Sequence, residues 1–278
     1  MPKKAAELRV KLSGLARLDD SALRPAEALL LLAALEHPNS TIAPYLAFLD
    51  GLAVEIRDKA KDAHGVEQLA AILFNVITHQ HHFHGEDGED DNADSLNLMQ
   101  VIDRRCGIAG LLSVVVIDAA RSAGLRADLL AFPAHFLLRL EDDDGKRVIL
   151  DPFLSGAVVE PPDMRGLLKA VAGNAAELEP AHYATMSNRH MVVRLQNEAK
   201  LRLLRGGHME RALAVVEATL LVAPDTAMLW REAGLMHLRL NNPSGAVAAL
   251  EQFITRTTNA IARARTQTLL AELKSRLN

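Results

Sequence analysis

A period of 34 residues in the last third of the chain constrains the fold more than any other sequence feature. Gly207 is followed five residues later by Ala212, and Asn241 is followed five residues later by Ala246. The second pair lies 34 residues after the first, with asparagine in place of glycine. Small residues at such a period are typical of stacked helical hairpins, because they let two helices approach closely and let the chain turn between them. The last third is therefore predicted to be an all-helical array.

The second copy of the repeat resembles the tetratricopeptide (TPR) pattern. Trp230, Ala233, Gly234 and His237 occupy its W-x-x-L-G-x-x-Y positions, with alanine for leucine and histidine for tyrosine. The helix predicted over 260–277 is expected to cap the stack. An ordinary bundle of helical hairpins is the alternative interpretation. Because TPR arrays bind proteins or peptides on their surfaces, Trp230 and His237 become candidate binding residues.

The residues before the repeat are predicted to form an α+β domain over 1–183, with the array at 184–278. Apolar spacing indicates helices in the first 80 or so residues. The first is expected to be capped at Asp20 or Ser21, and the second to start at Ser40 or Thr41. A third is expected over 66–78.

The middle of the chain changes from helix to strand. A long apolar helix is predicted over 109–123, ending at Gly124 as its left-handed cap. Three strand-like runs follow it, at 126–132, 134–140 and 147–150. The last two are expected to pair as a hairpin, and 158–182 is expected to be a linker that includes one short helix. Helices followed by antiparallel strands indicate an α+β class.

Composition excludes several functional classes. The net charge of -4 differs from the basic footprint of a nucleic-acid-binding protein, and the apolar runs are too short to cross a membrane. The single cysteine and the absence of a secretory signal pattern favour a cytoplasmic location. The chain has no glycine-rich phosphate loop, so no cofactor is expected.

Three residues suggest thiol chemistry. Cys106 precedes the long helix, His135 follows that helix in a strand-like run, and Asp151 ends the next strand. A helix N-terminus favours a thiolate, a histidine can deprotonate the thiol, and an aspartate can fix the imidazole tautomer. This order fits a papain-like or transglutaminase-like triad, although one cysteine, one histidine and one aspartate occur together in many proteins.

Longer segments carry a family resemblance. These segments are SLNLMQVIDRRCGIAGLLSVVVIDAARSAGL, FPAHFLLRL and VILDPFLSG, in that order. Together they resemble the SirB-type family, in which a transglutaminase-like core precedes C-terminal TPR repeats. The resemblance extends over about residues 26–275 and implies a papain-like core with a small antiparallel sheet. The family name comes from a proposed regulatory role in bacteria, and the resemblance implies no defined biochemical activity.

The resemblance places alanine at the nucleophile position. Relatives that keep a cysteine have the pattern G-x-C, which puts the nucleophile two residues after Gly107, at Ala109. His135 and Asp151 match the family histidine and aspartate, so the implied triad is Ala109, His135 and Asp151. Cys106 falls on a variable position. Ala109, Arg105 and Phe136 are the residues expected to line a relic cleft.

A histidine-rich, acidic loop over 79–94 is the only other candidate for chemistry. Its weak candidate metal ligands are His79, His81, His82 and His84. Their spacing matches neither a closed zinc site nor a calcium-binding loop, so a solvated loop without metal is the preferred interpretation.

Two functional hypotheses follow. The first is a non-catalytic protein that binds a protein or peptide partner through its TPR surface or relic cleft. The second is a cysteine-dependent amide hydrolase or acyl transferase using Cys106, His135 and Asp151. Alanine at position 109 favours the first hypothesis.

Overall fold

The computed structural model describes residues 2–37, 39–86, 96–133 and 135–277, and divides the chain into two compact units. The core unit comprises residues 24–191. The repeat unit comprises residues 192–278 together with residues 1–23. The predicted boundary between 183 and 184 lies eight residues before this division, and the sequence did not predict that the first residues group with the repeats.

The described residues are mainly helical. The helices are α1 (Pro2–Leu15), α2 (Pro25–Glu36), α3 (Ala43–Ala60), α4 (Val66–Phe74), α5 (Leu98–Arg104), α6 (Ala109–Ala123), α7 (Pro161–Ala172), α8 (Asn188–Arg205), α9 (Met209–Val222), α10 (Ala227–Arg239), α11 (Pro243–Arg256) and α12 (Ala260–Leu277). The strands are β1 (His84–Gly85), β2 (Cys106–Gly107), β3 (Arg126–Leu129), β4 (Leu138–Glu141), β5 (Arg147–Asp151) and β6 (Ala157–Val158). Across the described ranges, no helix combines the length and apolarity needed to cross a bilayer.

Helix α6 is the centre of the core unit. Every residue from Gly110 to Ala120 on this helix is buried, and α2, α3, α4 and β3 all pack against it. Helix α2 is apolar on all sides, with a buried run from Ala28 to Ala34, as expected of a helix inside a domain. The predicted cap of α6 is confirmed, since Gly124 has a φ of 95° and its N–H reaches the last turn.

The sheet is antiparallel in the order β3-β4-β5-β6, and it confirms the predicted hairpin. Leu138, Leu140 and Leu150 point to one face of the sheet and are completely buried. Arg139 lies on the opposite, outer face, in register with Asp128 and Ile149 on the neighbouring strands. Alternation with a period of two therefore separates an apolar inner face from a partly polar outer face.

The predicted linker contains one helix, α7, and its 12 residues make it longer than the short helix expected there. Its start carries a capping box, in which the Glu160 side chain accepts from the backbone N–H of Asp163 and the Asp163 side chain accepts from that of Glu160. Met164 and Leu168 on α7 are buried in a cluster with Leu130, Phe132, Leu137 and Val159. The i, i+4 spacing of Met164 and Leu168 was the sequence signal for this helix.

Several predicted boundaries also shift. Helix α2 begins at Pro25 rather than at the predicted Asp20-Ser21 cap. Its N-cap, Arg24, is extended, as the residue before a proline usually is, so the helix cannot begin earlier. Beyond Phe74 the predicted third helix continues as a π-helical segment over Asn75–Gln80. Strands β3 and β4 are shorter than predicted, because the described residues 130–133 and 135–137 form no strand beyond the single bridge of Leu130 with Thr185.

The repeat unit confirms the two predicted hairpins, α8–α9 and α10–α11. Gly207 and Asn241 turn the chain with φ values of 76° and 55°, and Ala212 and Ala246 are completely buried where the helices meet. Asparagine is among the few residues that adopt this left-handed conformation readily. The 34-residue period therefore reflects equivalent turns and equivalent close contacts.

Helix α1 packs on α9 within the repeat unit, which the sequence did not predict. Leu8, Leu12 and Leu15 are buried, whereas the other described side chains of this helix are exposed or half-buried. The i, i+4, i+7 spacing of these leucines gives α1 one apolar stripe. A repeat unit with two helical hairpins thus gains an additional helix from the start of the chain.

Substituting Gly234 with alanine is expected to destabilise the repeat unit. A Cβ at this position in α10 would lie 2.6 Å from Cγ of Leu250 in α11, so the hairpin must open or Leu250 must move. We expect a loss of about 1–3 kcal/mol in the free energy of unfolding, measured by urea denaturation. Gly166 in α7 has open space around its Cβ position, so Gly166→Ala should instead gain about 0.5–1 kcal/mol. An increase in the free energy of unfolding for both substitutions would contradict the close contact between α10 and α11.

Candidate functional site

The nucleophile position lies at the start of α6, directly after the short strand β2. Ala109 is the first residue of α6 and is half-buried, and Ile108 before it is extended. Gly107 pairs with Gly85 in the short parallel ladder of β1 and β2. A Cβ on Gly107 would lie 2.6 Å from Cγ2 of Val101, so glycine is required for the strand to pack this closely against α5. Alanine therefore stands at the N-terminus of a buried helix, where it can supply no nucleophile.

Cys106 lies in β2, not on α6. Its register partner in β1 is His84, and its side chain is half-buried. The chain is extended from Cys106 to Ile108, and α6 starts only at Ala109. The thiol is displaced from the first helical turn by three residues of chain, so it is not carried by the helix that would orient a nucleophile at position 109.

His135 and Asp151 belong to the same end of the main sheet. Leu138 pairs with Leu150, so the chain just before β4 and the chain just after β5 emerge side by side. The ring of His135 lies 6.4 Å from that of Phe132, between centroids. The fold therefore brings the segments of His135 and Asp151 to one edge, as the predicted triad requires.

The Asp151 carboxylate organises the turn that follows it. Its Oδ1 accepts hydrogen bonds from the backbone N–H of Phe153 at 2.8 Å and of Leu154 at 3.3 Å. The Asp151 carbonyl accepts from the N–H of Gly156 at 2.9 Å, which closes the turn. These bonds give the D-P-F-x-x-G segment a structural role that is independent of any reaction.

Phe153 joins this turn to the ladder that carries Cys106. Its ring lies directly against Gly85, so closely that no Cβ fits there. Gly85 pairs with Gly107, and both short strands contact α6. The segments of Cys106, Ala109 and Asp151 therefore meet in one region of the core unit.

Arg105, a predicted cleft residue, is packed between aromatic rings. Its guanidinium carbon lies 4.0 Å from the ring centroid of Phe48 and 5.0 Å from that of Phe83. Its φ is 58°, which allows α5 to end and β2 to begin. Burial lowers the pKa of the guanidinium, and the charge of Asp103 partly offsets this effect. The contacts of Arg105 are those of a residue that holds α3 and the segment before β1 against α5.

Other predicted binding residues also make internal contacts. Phe136 is buried. Nε1 of Trp230 donates to the carbonyl of Pro224 at 2.7 Å, which ties α10 to the loop before it. Nε2 of His237 lies 3.2 Å from Oε1 of Glu217 in α9. A role for these residues in partner binding stays a prediction.

The four candidate metal-binding histidines are dispersed. Nε2 of His81 lies 2.9 Å from Oε2 of Glu55, and Nδ1 of His84 lies 2.9 Å from the carbonyl of His82. His79 belongs to the π-helical segment and not to the predicted loop. Within the described ranges, no group of three or more potential ligands is placed to hold a metal ion. The acidic stretch 87–94 of the predicted loop lies outside the described residues.

Comparisons with known proteins agree with this architecture. Residues 43–197 match the transglutaminase-like superfamily, and residues 199–278 match the tetratricopeptide repeat. The chain is 25% identical over 245 residues to a UPF0162 protein of Xylella fastidiosa (strain Temecula1), with 87% of each chain covered. It is 28% identical over 178 residues to Protein SirB1 of Salmonella typhimurium, covering 62% of this chain and 66% of SirB1.

A second enterobacterial relative gives the same result. UPF0162 protein YchA of Escherichia coli (strain K12) is 28% identical over 162 residues, covering 58% of this chain and 60% of that protein. The superfamily match covers more than half of the chain and contains every residue of the implied triad. The chain therefore belongs to the transglutaminase-like superfamily and, within it, to the SirB-type family with C-terminal TPR repeats.

Proposed function

We propose that this protein is a non-catalytic member of its superfamily that acts by binding a protein partner. The observation that carries the proposal is Ala109 at the first position of α6, where family members with thiol chemistry have their cysteine. Asp151 has a structural role that needs no catalysis, because its Oδ1 accepts from two backbone N–H groups of its own turn. A cytoplasmic, regulatory role fits the single cysteine and the family resemblance, and is part of the same proposal.

The rate of Cys106 alkylation by iodoacetamide tests the non-catalytic part of the proposal. We expect the rate to rise with pH around the same midpoint in wild type and His135→Ala. Chain order alone favours the alternative triad, in which His135 would activate Cys106. A midpoint well below ~8.5 that returns towards it in His135→Ala would overturn the proposal and support a cysteine-dependent hydrolase or acyl transferase.

The repeat unit offers a surface for the partner on α10. Met228, Arg231, Leu235 and Arg239 are all exposed, and their i, i+3, i+7, i+11 spacing places them on one face of the helix. This set is called the α10 face below. It combines two apolar side chains with two cations, and such a face fits a partner segment that carries apolar and acidic residues.

An ion pair that is buried on its lysine side links α8 to α10, the helix that carries the α10 face. Nζ of Lys200 in α8 lies 2.7 Å from Oε2 of Glu232 in α10. Only 4% of Lys200 is exposed, so the pair is shielded from water on the lysine side. Leu201, which follows Lys200 in α8, is exposed and adds apolar surface to the same unit. The ion pair therefore ties α8 to α10 in the absence of a partner.

Selection from a random peptide library against the full chain tests the binding surface. We expect the selected peptides to contain acidic and apolar residues and to bind Met228→Glu about tenfold or more weakly than wild type, as measured by fluorescence anisotropy. Val171 in α7 of the core unit is as exposed as Met228, so Val171→Glu is the matched control and should bind like wild type. Equal affinity for wild type and Met228→Glu would exclude the α10 face as the binding surface.

A further inference from the structure

A groove of about 450 Å³ lies on the outer face of the main sheet, next to the start of α7. This groove is called the outer groove below, and it belongs entirely to the core unit. Its apolar wall is formed by Leu130, Ile149, Val158, Val159, Pro161 and the ring of Tyr183. Its polar lining consists of Arg139, Arg147 and Glu160. The volume falls in the range of about 300–1,000 Å³ that is typical of small-molecule sites.

Two of the charged groups in the outer groove are already engaged. Arg139 donates to Oδ2 of Asp128 at 2.8 Å and to Oγ1 of Thr185 at 3.1 Å. The Glu160 carboxylate accepts from the backbone N–H of Asp163 in the capping box of α7. These bonds stabilise the walls of the groove. Neither Arg139 nor Glu160 is therefore expected to be the main group that recognises a ligand.

Two donors in the groove are not engaged by any described residue. Arg147 uses Nε to bond Oε2 of Glu141 at 2.5 Å, and its two terminal nitrogens have no partner among the described residues. The Tyr183 hydroxyl likewise makes no hydrogen bond within that part of the chain. The Arg147 side chain is 60% exposed, and Arg147 and Tyr183 line the groove together with the apolar residues.

We propose that the outer groove binds a small monocarboxylate with an apolar or aromatic body. A guanidinium edge matches the two oxygens of a carboxylate, and the phenol adds a neutral donor. A single cation with free donors suits one negative charge better than the two of a phosphate. The apolar wall would bury the body of the ligand, as most small-molecule sites do. This site is independent of the missing nucleophile and of the α10 face.

Titration of the full chain with 3-phenylpropionate tests the proposal. Binding is followed by isothermal titration calorimetry and by amide chemical shifts in 15N-labelled protein. We expect saturable binding at millimolar or lower concentration, with shift changes at groove residues. The affinity should fall about tenfold in Arg147→Gln, because a charge-assisted hydrogen bond is lost, and by a smaller factor in Tyr183→Phe.

Matched ligands and variants separate the possible outcomes. Arg104→Gln removes an exposed arginine that pairs with Glu86 outside the groove, so this variant should bind 3-phenylpropionate like wild type. The amide 3-phenylpropionamide should not bind. Equal binding of acid and amide, or equal affinity of wild type and Arg147→Gln, would overturn the proposal. Binding of a tripeptide through its C-terminal carboxylate without binding of 3-phenylpropionate would also overturn it and indicate a peptide site.

Discussion

Replacing Asp118 with alanine is expected to lower the free energy of unfolding by about 3 kcal/mol. Asp118 lies in the buried helix α6, with only 3% of its side chain exposed. Its two carboxylate oxygens each accept from Arg24 at 2.8 Å, in a two-point contact with the residue that precedes α2. This hydrogen bond raises the pKa of Arg24 above its ordinary value. Removing the carboxylate leaves a partly buried guanidinium without its main partner.

Asp50 provides the matched control for this prediction. It pairs with the same arginine at 2.7 Å, but 58% of its side chain is exposed. Asp50→Ala is therefore expected to cost at most about 1 kcal/mol. Urea unfolding followed by circular dichroism measures both variants at neutral pH. If Asp118→Ala and Asp50→Ala lowered the free energy of unfolding equally, burial of the pair between Arg24 and Asp118 would contribute nothing to stability.

Replacing Gly156 with alanine is expected to cost about 3 kcal/mol of stability. Gly156 closes the turn that begins at Asp151, with a φ of 81°, and a Cβ there would overlap the ring of Phe74 at the end of α4. Two effects therefore add, namely the left-handed backbone and the displaced aromatic ring. The loss should appear as a lower midpoint of urea unfolding for the core unit.

Gly145 isolates the backbone effect. It has the same φ of 81° in the turn between β4 and β5, but open space surrounds its Cβ position. Gly145→Ala should therefore cost only about 1–2 kcal/mol. If Gly145→Ala and Gly156→Ala lost the same stability, the close approach of Gly156 to Phe74 would make no difference to the free energy of unfolding. The presence of glycine at position 156 would then be explained by the turn alone.

Several features of the candidate site were accessible from local sequence. The alanine at position 109 follows from alignment of G-x-C with the residues after Gly107, and the structure adds that this position begins α6. The order of His135 and Asp151 around a predicted hairpin placed both segments at one end of the sheet, because paired antiparallel strands fix which termini are neighbours. Both inferences depend only on the relative positions of residues within short segments of the chain.

The contact partners of the candidate site residues could be identified only from the tertiary structure. Arg105 was expected to line a cleft, and the sequence did not show that its guanidinium lies over the rings of Phe48 and Phe83. Trp230 was expected on a binding surface, and the sequence did not show that its indole N–H donates to the carbonyl of Pro224. A side chain's partners lie in segments that the local pattern does not identify, so sequence could name these residues without assigning their contacts.

The sequence by itself determined the elements that depend on short-range pattern. These are the 34-residue repeat with turns at Gly207 and Asn241, the long helix that ends at Gly124, and the hairpin of β4 and β5. Each results from interactions between residues close in the chain, such as left-handed turns and apolar periodicity. Only the tertiary structure decided that α1 packs on α9 and that Arg24 reaches Asp118, 94 residues away. It also decided where the outer groove lies, because burial and pairing between distant segments arise only when the whole unit packs.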